Sequence, residues 1–143
     1  MGLEERNAWM MLSIGVIGLI VYPALVLAAV NGGSLTDVNY QPLMLWVIGV
    51  SIAVGIVGAI LNNIRAGLAG ERDKPDERDR EIARFSTSVG QAFLVIGGLA
   101  AMLMAMAEWD WFWIANTLFL GFALSGMLEG TAKVVSYRRG LPW

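Results

Sequence analysis

Residues 42–63 read PLMLWVIGVSIAVGIVGAILNN, a run without one charged side chain, and its length decides the fold. A helix rises 1.5 Å per residue, so about 20 apolar residues cross a hydrocarbon core of ~30 Å. No water reaches backbone amides at that depth, and a helix satisfies them within a single segment. Working outward, the chain repeats the pattern at about 9–30, 86–107 and 112–134, with polar segments between. The expected fold is all-α, a polytopic membrane protein whose four-transmembrane-helix bundle forms a single membrane domain over residues 1–143. Composition agrees, because 57% apolar and 15% charged residues are too hydrophobic for an ordinary soluble domain. The termini, the 31–41 connection and the 64–85 loop leave no room for a soluble catalytic domain.

Charge sets the expected orientation. Arg6 precedes the first apolar stretch, and Arg65, Arg72, Lys74, Arg78, Arg80 and Arg84 lie between the second and third. Lys133, Arg138 and Arg139 close the fourth, while segments 31–41 and 108–111 carry no Lys or Arg. The positive-inside bias then places both termini and the central loop in the cytoplasm. Glu4 and Glu5 beside Arg6, and a stretch longer than a signal-peptide core, make the first segment a permanent helix rather than a cleaved leader. Acids and bases alternate in the central loop, so there is no basic stripe for direct nucleic-acid binding.

Cys and His are both absent. Thiol chemistry, the usual zinc and haem ligands, and His-based proton transfer are thereby excluded. Met102, Met104 and Met106 offer thioethers of the kind that select Cu(I), but without Cys or His beside them they read as packing residues. No metal or cofactor is expected, and no catalytic residue.

Local signals mark the helix ends. Asn31-Gly32-Gly33 stops the first helix, which carries Pro23 and should kink there. Pro42 suits the first turn of the second, and Asn62-Asn63 its end. Pro75 fits the first turn of the third, with Asp73 or Lys74 as cap and Asp76, Glu77 and Asp79 at its positive end. That helix would reach ~30 residues, or ~45 Å, and project into the cytoplasm. The short turn at 108–111 makes the third and fourth helices antiparallel neighbours. Trp109, Trp111, Trp113, Tyr40 and Trp46 belong to an outer aromatic belt, Trp9 and Tyr137 to an inner one. Ser51, Gly55 and Ala59 have small-xxx-small spacing, and Gly18, Gly55, Gly97, Gly98 and Gly121 fall near mid-membrane. They should form a close-packed waist or a homo-oligomer interface.

Two groups of residues are candidates for function. Glu129 is the sole carboxylate within an apolar stretch, ~27 Å below the outer edge of its helix and one turn before Lys133, and it should pair with Lys133 or with an arginine of the central loop. Gln91 and Asn116, with Asn62 and Asn63, are neutral polar groups suited to interhelical hydrogen bonds. In the loop, Asp76, Glu77, Arg78, Asp79 and Arg80 would form an exposed docking surface, with Ile82 and Phe85 packed inward. A divalent cation among Asp73, Asp76, Glu77 and Asp79 is disfavoured by the arginines between them.

Asp76-Glu77-Arg78-Asp79, Ile82 three residues on, a helix, a tight turn, a second helix and Tyr137-Arg138-Arg139-Gly140 together carry a resemblance. Residues 73–140 resemble an uncharacterised family of small multi-spanning bacterial and archaeal membrane proteins with a cytoplasmic Asp-Glu-Arg-Asp motif. The resemblance implies a prokaryotic cytoplasmic membrane, brings no catalytic residues, and implies a regulatory partnership, because many members are encoded beside small helix-turn-helix repressors. The expected role is non-enzymatic: regulation or protein interaction through the loop, with the bilayer and a soluble cytoplasmic protein as partners. The alternative is an oligomeric channel or small-solute transporter built on the glycine-rich helices and Glu129.

Overall fold

The computed structural model describes residues 2–70 and 76–141. Among them are four α-helices, α1 (Leu3–Ala29), α2 (Tyr40–Leu68), α3 (Glu77–Met106) and α4 (Trp111–Arg139), one 3-10 turn at Leu35–Asp37, and no strand. All four are long and apolar enough to cross a membrane. Their outer faces are apolar as well: Leu45 is 71% and Trp46 72% exposed, a surface that suits lipid and not water. This is an integral membrane protein.

Packing orders the helices α2–α1–α4–α3. Extensive interfaces join α3 to α4, α4 to α1 and α1 to α2, and none joins α2 to α3 among the described residues. The α3–α4 pair owes its closeness first to its turn. Glu108 adopts a left-handed φ of 56°, the Glu108 N–H donates to Ala105 O at 3.1 Å, and the Trp109 N–H to Met104 O at 3.0 Å. Those two bonds close the end of α3 in the Schellman manner. Asp110 then starts α4 by accepting from the Phe112 N–H at 2.9 Å.

Small residues do the rest. A Cβ placed on Gly97 would lie 2.8 Å from Gly121 Cα, and one on Gly90 2.8 Å from Ser125 O. Only glycine permits that approach. Across α1 and α4, the Tyr22 hydroxyl donates to Asn116 Oδ1 at 2.7 Å and its ring lies 4.5 Å from Phe119. Tyr22, Val26 and Phe112 form a buried core at the tryptophan-rich end, roofed by Leu35 and Val38 of the connection.

Several expectations change. Asp76, not Asp73 or Lys74, caps α3, and the helix begins at Glu77; residues 71–75, Pro75 included, lie outside the described residues. The α2 helix continues past Asn62-Asn63 to Leu68, because the Asn63 amide donates to Ala59 O of its own turn and Asn62 reaches Asn7. Gly98 contributes nothing to the waist, since a Cβ there meets open space.

Candidate functional site

One end of the bundle gathers the charge. Arg6, Arg65, Arg78, Arg80, Arg84, Lys133, Arg138 and Arg139 lie there, whereas the opposite end holds Asp37, Glu108 and Asp110 and no base among the described residues. The charged end is built outward from Asp79. Its backbone N–H donates to Asp76 Oδ1 at 2.7 Å, and its Oδ2 accepts from the Asp76 N–H at 3.1 Å. This reciprocal capping box satisfies two amides that α3 otherwise leaves without partners. The remaining oxygen, Asp79 Oδ1, accepts from the Tyr137 hydroxyl at 2.9 Å. One carboxylate therefore completes the capping box of α3 and fastens the helix to the last turn of α4.

Below this fastening Ile82 and Ser86 are fully buried, and Phe85 is half-buried. The first turns of α3 are thus packed, not free. Tyr137 lies past the apolar stretch 112–134. Burial, then the bond to Asp79 and the charge of that carboxylate, raise its pKa above the ordinary tyrosine value. The phenol remains a donor throughout the physiological range.

The other helices are tied in at the same level. Arg138 Nε lies 3.5 Å from Glu5 Oε1, and its guanidinium sits 5.2 Å from the centroid of the Trp9 ring. Arg138 is well exposed, so the ion pair contributes at most about 1 kcal/mol. Asn62 Nδ2 donates to Asn7 Oδ1 at 2.8 Å, joining α2 to α1.

Of the loop candidates, Asp76, Glu77, Arg78 and Arg80 are exposed, and Asp79 is half-buried against Tyr137. Glu77, Arg78 and Arg80, with Glu81 and Arg84, keep side chains open to a partner. Asp76 and Asp79 are occupied by the backbone, which leaves them with a structural duty.

The intramembrane candidates divide. Asn116 donates to Phe112 O at 2.8 Å and accepts from Tyr22, a polar link between helices. Gln91 is exposed on the outer side of α3 and joins no neighbouring helix through a side-chain bond among the described residues. Glu129 accepts from the Thr87 hydroxyl at 3.1 Å and forms no ion pair with Lys133 among the described residues. The reason is local: Gly90 brings α3 close enough for Thr87 to reach across. Glu129 and Lys133 instead both line a cavity of about 480 Å³, together with Glu4 and Asn7.

Tyr137 and Thr87 are the site residues that sequence reasoning missed. The Asp-x-x-Asp spacing was a signal for the capping box, but nothing in the sequence announces a partner 58 positions away. No family model, curated protein or solved structure matches this chain. Function is therefore argued from geometry.

Proposed function

We propose that this is a non-catalytic membrane protein whose charged end, facing the cytoplasm, docks a soluble protein and regulates or is regulated by it. The observation that carries the reading is the double use of the Asp79 carboxylate, which completes the capping box of α3 and holds the helix to Tyr137. A helical arm fixed at its root presents Glu77, Arg78, Arg80 and Glu81 in one geometry. Preorganisation of that kind lowers the entropy lost on binding. Arg78 and Arg80 bring forked donors that meet carboxylates two bonds at a time. The positive-inside bias supports the cytoplasmic orientation, and the regulatory partnership implied by the resemblance agrees with it. The glycine contact at Gly97 and Gly121 closes the α3–α4 seam, which counts against a pore along it.

A photoreactive residue in place of Arg80 tests the proposal in living cells, with one in place of outward-facing Val95 as control. Position 80 should give a discrete adduct with a soluble protein, position 95 none. Adding Asp79→Ala, which frees the arm, should weaken that adduct at least several-fold. Lipid adducts alone at position 80 would overturn the reading.

A further inference from the structure

Because α2 packs chiefly on α1 and meets α4 near its own start, where Tyr40 lies edge-on to Phe112, a groove runs between α2 and α4 with α1 as its floor. Its apolar body has a volume of about 640 Å³, floored by Gly15 and Gly18 and walled by Val47, Ser51, Phe119 and Phe122. Toward the charged end it continues into the cavity of Glu4, Asn7, Glu129 and Lys133. Ile14, Gly15, Phe122 and Ala123 line both parts, so the greasy body and the polar mouth adjoin. By helical rise from Trp111, Glu129 lies ~27 Å down α4, at headgroup depth on the charged side.

We propose that this groove binds one phospholipid from the leaflet at the charged end, with a headgroup carrying both a phosphate and a primary amine. The acyl part lies along Gly15, Gly18 and Ser51. Lys133, without an ion pair among the described residues, takes the phosphate as a compact cation. Glu129, steadied by Thr87, and Glu4 across the mouth accept from the amine. An ammonium offers three N–H donors to those carboxylates, whereas a quaternary amine offers none. A purely anionic head would meet two carboxylates for one lysine. A hydrocarbon chain fits the apolar body.

Native mass spectrometry of the full chain decides the matter, with equal amounts of ethanolamine, choline and glycerol phospholipids of identical chains. Saturation at one bound ethanolamine lipid per chain is expected, at about tenfold preference over the other two. Glu129→Gln and Lys133→Gln should each erase most of that preference. Ala123→Phe, at the neck, should remove retention of every headgroup, and Ser51→Leu provides the same test higher in the groove. Thermal unfolding checks that each variant still folds. Non-saturating binding, an unchanged preference in both mouth variants, or full retention when both the neck and the body are filled would overturn the site. So would a dimer that excludes lipid.

Discussion

The two halves of the bundle use glycine differently. Between α3 and α4 the neighbour of each critical glycine is backbone: Gly121 Cα for Gly97, Ser125 O for Gly90, both 2.8 Å from an added Cβ. Between α1 and α2 the neighbours are side chains: Ser51 Oγ at 3.5 Å from Gly18, Met11 Sδ at 3.7 Å from Gly55, and the flexible end of Met10 crowded against Gly58. Backbone cannot step aside, but a methionine can. The α3–α4 half is accordingly a fixed unit joined by a short turn and by Asp79–Tyr137. The α2 helix is held at one flank and leaves a groove at the other. Membrane helices have little hydrophobic drive to associate, so this difference in backbone approach is where packing energy concentrates.

Five substitutions can break the comparison. Gly97→Leu should cost about 3 kcal/mol or prevent folding, because the overpacked side chain drives into Gly121. Gly98→Leu, one residue on and facing open space, should change stability by less than about 0.5 kcal/mol in the same unfolding titration. Equal losses in the two variants would remove the distinction between the seam and the outer face. Asp79→Ala should cost about 2 kcal/mol, as it removes the Asp79 half of the capping box and leaves the Tyr137 hydroxyl without its acceptor. Tyr137→Phe keeps the cap and should lose about half as much, and hydrogen exchange should then quicken only in the first turns of α3. At the α1–α2 interface, Gly18→Ala should be neutral or stabilising by up to about 0.5 kcal/mol, since helix propensity improves and the Cβ has room. A clear loss there would mean that α2 is packed as firmly as α4.

The four spans were legible because membrane thickness sets a length that composition alone can report. The α3–α4 adjacency followed from a turn too short to permit anything else. Partner choice was not legible. Gly97 and Gly98 are indistinguishable in sequence, and only the direction of each relative to α4 separates them. Lys133 stands one turn from Glu129 and seemed its natural partner, yet Thr87 is nearer across a gap that Gly90 narrows. The start of α3 was misplaced because Asp73, Lys74 and Asp76 all precede acidic residues, and reciprocal bonding with Asp79 selects among them. Asn62-Asn63 failed to stop α2 for a related reason: an amide satisfied by its own turn or by a neighbour does not end a helix.

The orientation of the charged end underlies the docking proposal, and the chain is suited to a direct test because it contains no cysteine. Single cysteines at Gly33 and Gly70 can be probed with a membrane-impermeant maleimide on intact cells and again after lysis. The account predicts labelling of Gly33→Cys on intact cells and of Gly70→Cys only after lysis. Labelling of Gly70→Cys on intact cells, with Gly33→Cys protected, would contradict it.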